Sequence, residues 1–372
     1  MVRGRLGLAE VLFLTGAACL ALAYWTPPLM QLRESNRNWA CQDNLRSLGV
    51  ALDAYHDRHL CFPSGYSPAD LNVDREGGMS WAHRVPSYAW SALILSELGY
   101  AEMHESLRVR EGKLPEMLQD RSLSKILETP LPEFRCASDR LGDTMESSPL
   151  QANFKPLDRD RASVFGGASS YVANAGYFEL HHPFYLAPPG KWTAQIIADT
   201  APNNGIFFPT SRTHRRQVAD GLSHTIAIGE RGWYQGGSTW VGTANVRSAG
   251  VGDSGMCLGR VWWRINQLPQ HKTSEMVSEL PVLSTRVNQL QVSSPHTARN
   301  GFGSYHPFGA NFLMADGSIR FLSDQIDFQN TIPAIGFSPT DPIPNPERLG
   351  LFQKLGIRND SVLNARNESD AS

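Results

Sequence analysis

Histidine and acid side chains are the first places to look for chemistry in this chain. His306, Glu230 and Asp316 offer an imidazole and two hard oxygens, a set that can hold a divalent ion if the fold gathers it. No spacing demands this. Asp316 opens the pair Asp316-Gly317, which a turn explains, and Glu230 can close a strand with a hydrogen bond. His181 and His182 are adjacent, so in a strand they point to opposite faces, and a polar loop before Pro183 is the plainer reading. Ser223-His224 are also adjacent, which is not how a nucleophile and its base meet. The chain has no Gly-x-Ser-x-Gly elbow, P-loop or His-Glu-x-x-His. The expectation is a protein that is not an enzyme, with no catalytic residue, metal or cofactor.

Two further residue sets bear on function. Trp233-Tyr234, Trp240 and Trp262-Trp263 could stack on sugars, although core and interface positions explain aromatic residues more cheaply. Cys41, Cys61, Cys136 and Cys257 allow three disulfide connectivities. A helix from Cys41 to His56 would by itself set Cys41 about 20 Å from Cys61, whereas a disulfide needs Cα atoms within about 7 Å. That disfavours Cys41–Cys61 and leaves pairings with Cys136 and Cys257. Reduced, buried thiols are the alternative.

The elements that would position these residues begin with an apolar segment. Leu6 to Trp25 carries one charge, Glu10, and about twenty helical residues span a bilayer core of about 30 Å. Arg3 and Arg5 precede it, so the positive-inside rule puts the N-terminus in the cytoplasm and the bulk of the chain outside. Ala21-Leu22-Ala23 also resembles a signal cleavage site, and Ala17-Ala18-Cys19 faintly resembles a lipoprotein site with Gly16 where leucine is usual. Glu10 favours a retained anchor, because a carboxylate beside lipid is costly and a signal sequence has no use for it. The lipid bilayer is therefore an expected partner, in the cytoplasmic (inner) membrane. The four later cysteines would then lie where disulfides persist.

Pro27-Pro28 should kink or break the helix. A second helical stretch then runs to His56, with Leu45, Leu48, Leu52 and Tyr55 on one apolar face and Arg33, Arg37, Asp43 and Arg46 on the wet side. Beyond it, Ala89–Leu98 and Leu114–Leu127 read as short helices. Ser170–Tyr177, Gly205–Phe208, Thr225–Gly229, Thr239–Gly242 and Arg260–Ile265 read as strands. Gln270–Ser294 is ambiguous. Asp316-Gly317 suits a two-residue type I′ hairpin that pairs Phe312 with Phe321 and buries Phe312, Met314, Ile319 and Phe321 on one face. The expected parts are an anchor over 1–26, an amphipathic helix over 27–60, a β-rich domain over 61–330 and a loose tail over 331–372. Lys+Arg total 34 and Asp+Glu 36, so nothing in the charge balance calls for nucleic acid.

Several ordered motifs between about Leu6 and Asp327 resemble the prepilin-like family of unknown function numbered fifteen-fifty-nine, abundant in planctomycete-type bacteria. They are Arg33-Glu34 with Cys41-Gln42-Asp43-Asn44-Leu45; Phe62-Pro63-Ser64-Gly65; Phe134-Arg135-Cys136-Ala137-Ser138-Asp139; and Ser169-Ser170-Tyr171. Further along come Asp220-Gly221 leading to Gly229-Glu230-Arg231; Ser304-Tyr305-His306-Pro307-Phe308-Gly309-Ala310-Asn311; and Asp316-Gly317-Ser318. The resemblance marks Cys41, Asn44, Cys136, Asp139, Asp220, Gly221, Glu230, His306, Gly309, Asp316 and Gly317 as motif positions. Glu10 and Pro27 stand at the spacing of a prepilin N-terminus and are the membrane or assembly positions. The pattern departs at the cleavage point, where Arg5 replaces the usual glycine and Gly4 lies one position early. The resemblance implies an α+β, pilin-like fold in which a long N-terminal transmembrane and amphipathic helix packs on an antiparallel sheet. It also implies a structural or scaffold role, with pilin-like subunits or a type II secretion-like assembly as partners. The alternative is a monomeric extracytoplasmic binding module, for instance for glycans.

Overall fold

The computed structural model describes residues 7–66, 86–140, 142–147, 154, 163–177, 204–208, 210–243, 256–267, 301–329 and 349–360, without the side chains of 8–12, 16 and 18–30. One helix dominates: α1, Leu8–His59, 52 residues and about 78 Å long at 1.5 Å per residue. It continues through Pro27-Pro28, where a kink or a break was expected, so the long helix is there and the break is not. Proline's φ suits a helix, so its cost is confined to a lost donor and a local clash. Its C-terminal half follows the expected periodicity. Leu45, Leu48 and Leu52 are buried, Tyr55 packs at the core's edge, and Arg33, Arg37, Asp43 and Arg46 are exposed. Among the described residues, no helix is long and apolar enough to cross a membrane. The side chains of Glu10 and Pro27 lie outside the described residues, as do His181-His182 and Gln270–Ser294.

The helix lies on a five-stranded sheet. The strands are β1 Ser87–Tyr88, β2 Ala168–Ser169, β3 Tyr171–Asn174, β4 Ile226–Glu230, β5 Ser238–Thr239, β6 Gly242–Thr243, β7 Leu258–Gly259, β8 Gly309–Met314 and β9 Ile319–Ser323. The main sheet has the order β7-β3-β4-β8-β9, antiparallel except where β7 pairs in parallel with β3; β1 pairs with β6, and β2 with β5, as two-stranded ribbons. Side chains alternate along β8: Leu313 joins the core under α1, while Ala310, Phe312 and Met314 enter a second core on the other face. The fold class is therefore α+β, as expected.

Several expected elements shorten or shift. Ala89–Leu98 contains only α2 (Trp90–Leu93), followed by α3 (Ala101–Ser106). Leu114–Leu127 splits into α4 (Leu114–Met117) and α5 (Arg121–Leu127), where the Asp120 side chain caps the second helix. Gly205–Phe208 and Arg260–Ile265 are not strands. Within the stretch expected to be loose, α6 (Leu351–Leu355) seats Phe352 in the second core against Phe302 and Phe312.

The β8–β9 hairpin exists in a different register from the one expected. Leu313 pairs with Ile319, Phe312 with Arg320 and Asn311 with Phe321. The Met314 N–H donates to the Ser318 carbonyl (2.8 Å) and the Gly317 N–H to the Met314 carbonyl (3.0 Å), so the loop holds three residues. Only Gly317 takes a positive φ (85°), whereas a type I′ turn needs two such residues. A one-residue slip moves each side chain to the other face. Phe321 therefore leaves the Phe312–Met314 face and stands 41% exposed beside α1.

A candidate functional site under the helix

A polar cluster lies where α1 crosses the end of the sheet. The positions Glu34, Asn38, Cys41 and Leu45 recur at steps of four, three and four, so they share the face of α1 turned to the sheet. β4 ends there with Glu230, β8 brings Asn311, and the loop before β8 brings His306; all three are buried. His306 stands between two carboxylates. Its Nδ1 is 2.6 Å from Glu34 Oε1 and its Nε2 is 3.2 Å from Glu230 Oε1. The second contact couples the charges, but Glu230 Oε1 has no aligned hydrogen-bond donor. The other carboxylate oxygen, Oε2, accepts from the Asn311 backbone N–H (2.6 Å) and side-chain amide (3.2 Å). Asn311 reaches on to Asn38 (2.7 Å) and receives Gln42 (3.1 Å), so the pair is tied to α1 at three helical turns.

Burial opposes a charge on His306, yet the carboxylates of Glu230 and Glu34 close on either side of it outweigh that cost and push the imidazole up to about 9. Burial likewise works against the Glu34 carboxylate, but His306, Ser138 and Arg37 hold it below its usual range. At neutral pH His306 is therefore a cation held between the side chains of Glu34 and Glu230.

The disulfide Cys41–Cys136 closes the same cluster, with Cα atoms 5.0 Å apart. Cys136 was one of the partners left open for Cys41. Cys61 and Cys257 are not in a disulfide among the described residues. Cys136 Sγ is 3.5 Å from His306 Nε2, and the Ala137 N–H donates to Cys41 Sγ (3.2 Å). One ligating atom from each of Cys41, Cys136, Glu230 and His306 lies within 4.8 Å of all the others.

Most motif positions converge here. The Asn44 amide donates to the Arg135 carbonyl (2.6 Å), fastening α1 to the Cys136 loop. Asp139 accepts from Ser170 Oγ (2.8 Å) and the Trp233 N–H (3.1 Å). Gly309 accepts from Ser304 Oγ (2.7 Å), and a Cβ there would lie 2.2 Å from the Leu322 carbonyl. Others stand apart. Asp220 accepts from the Asp360 N–H (2.8 Å), and Gly221 leads into the 3-10 turn Leu222–His224. Asp316 receives the Ser318 N–H (2.9 Å) within its own turn, away from the His306–Glu230 pair it could have joined. Of the aromatic set, Tyr234 and Trp240 are buried and Trp262 stacks on Tyr177 at 4.8 Å, so those faces are used internally. Residue typing had not singled out Glu34, Asn38, Gln42 or Asn311 as site residues; the helical spacing from Glu34 to Leu45 was the available signal.

Beside the cluster, Gln31, Glu34, Asn38, His306, Pro307 and Phe321 line an open cleft of about 560 Å³. A family model described as "Protein of unknown function (DUF1559)" matches residues 30–329, so the chain belongs to that family. No curated protein and no solved structure matches the chain.

Proposed function

We propose that this member of the DUF1559 family is a membrane-anchored, pseudopilin-like structural subunit, single-pass in the cytoplasmic membrane with its domain outside the cytoplasm. One observation carries the reading: α1 is a single element whose part from Glu34 to Leu52 is fastened to the sheet, while the same element continues N-terminally to Leu8 through the apolar stretch. Phe13 (75% exposed) and Leu14 (54%) are large apolar side chains open on that extension, which suits lipid or another apolar helix better than water. At 100° per residue, the exposed Leu14, Leu32, Trp39 and Val50 fall within about 20° of one line, opposite the buried face. Such a stripe fits side-by-side packing with pilin-like subunits. Glu10 would pair across that contact with a neighbour's N-terminal amine or arginine, offsetting the cost of a carboxylate near lipid.

Crosslinking in membranes, comparing the wild-type chain with Glu10→Leu at matched expression, tests the assembly. Both chains should insert, and the variant should lose the crosslinked species. Undiminished crosslinking would remove the assembly role and favour a monomeric binding module, for which the cleft beside Phe321 is the place to seek a ligand.

A further inference from the structure

The disulfide cluster has a second chemistry. We propose that when Cys41–Cys136 is reduced, Cys41, Cys136, His306 and Glu230 form a closed four-ligand site for zinc.

The donor set is two soft sulfurs, an imidazole and a carboxylate, which suits a borderline d10 ion that takes four protein ligands in structural sites. The spacing also fits. Zinc bonds of about 2.3 Å to sulfur and about 2.0–2.2 Å to nitrogen and oxygen set tetrahedral ligand atoms about 3.3–3.8 Å apart. The observed separations are 3.5 Å from Cys136 Sγ to His306 Nε2 and 3.2 Å from His306 Nε2 to Glu230 Oε1. The two sulfurs must part on reduction, and all four ligand atoms already lie within 4.8 Å of one another. Glu230 Oε1 is buried and faces His306 Nε2 inside the cluster, with no aligned hydrogen-bond donor among the described residues. The surrounding shell is also built for a metal. The Glu34 carboxylate at 2.6 Å holds Nδ1 of His306 and turns Nε2 toward the site, the carboxylate–histidine arrangement that orients metal ligands. The Ala137 N–H at 3.2 Å would stabilise the Cys41 thiolate.

The reaction balances. A dithiol reductant supplies two electrons and two protons, becomes a disulfide itself, and leaves two thiols. Zinc then displaces both thiol protons and the Nε2 proton of His306, forming two Zn–S, one Zn–N and one Zn–O bond. The ligands come from α1, the loop after α5, the end of β4 and the loop before β8. The ion would therefore join the same elements that the disulfide joins, and α1 would stay fastened in a reducing compartment as well as an oxidising one.

The test uses the full-length chain in detergent, reduced and freed of metal, titrated with cobalt as a spectroscopic probe and then zinc. The expected result is one equivalent of cobalt per chain with thiolate charge-transfer absorption and tetrahedral d–d bands, displaced by zinc. The oxidised chain should show neither. A Cys61→Ser, Cys257→Ala background should retain the signal, Cys136→Ser should lose the thiolate band, and Glu34→Gln should lower zinc affinity by about 10–100-fold. If reduction unfolds the chain, zinc should restore its circular dichroism. A reduced chain that is folded yet takes up no cobalt would overturn the proposal. So would unfolded chain that zinc does not rescue, or equal uptake by the oxidised form.

Discussion

His306 carries its proton where solvent would remove it, so that proton should register in the stability of the fold. With the folded value raised to about 9 against about 6.5 for a free imidazole, the contribution is fully present below about pH 6.5 and is lost as pH rises through about 9. Thermal unfolding from about pH 6 to about pH 9 should show the midpoint falling in the wild-type chain and nearly level in His306→Gln. That variant should also lose about 3–5 kcal/mol near pH 6, because it leaves Glu230 buried without its cation. A wild-type midpoint that rises over the same window would contradict the clamp. The sequence flagged His306 and Glu230 as able to converge, and they do. It did not reveal that Asp316 spends its carboxylate on its own turn. Nor did it reveal that Glu34, named there only within a motif of the helix, supplies the second carboxylate. Both depend on where the chain returns in space, which residue type does not encode.

At the scale of elements, the helix was legible and the hairpin only half so. Leu45, Leu48 and Leu52 announce a buried face because a 3.6-residue period leaves little choice of which side faces in. Asp316-Gly317 announces a turn, yet Gly317 serves equally as a second turn residue or as the left-handed residue of a three-residue loop. Local sequence does not separate these, and one residue of slip reverses the faces. The observed register makes the mutational outcomes specific. Phe312→Ala should cost about 3–5 kcal/mol in urea unfolding, since the ring is buried. Phe321→Ala, partly open to solvent, should cost well under half of that. Gly317→Val should destabilise although the residue is only half-buried, because a β-branched residue is strained at positive φ. Equal losses at Phe312 and Phe321 would restore the two-residue loop. The disulfide works at the same scale. It closes a span of 95 residues and ties α1 to the Cys136 loop. The double variant Cys41→Ala, Cys136→Ala should lose about 2–4 kcal/mol, with faster hydrogen exchange around Cys41.

For the whole molecule, the arrangement is a rod fastened along part of its length to a two-faced sheet, with α6 covering the far side. The α+β class was legible from a long N-terminal period followed by short apolar runs between glycines and prolines. The docking of α6 was not, because Phe352 sits in a polar, proline-rich stretch whose composition reads as loose and whose partners, Phe302 and Phe312, are distant in sequence. In the proposed function the rod anchors the domain on the far side of a membrane. A periplasm-only reporter fused after Leu322 tests it most directly, alongside a cytoplasm-only reporter at the same point. The periplasm-only reporter should be active and the other silent, with the fusion in the membrane fraction. Activity from the cytoplasm-only reporter would contradict it.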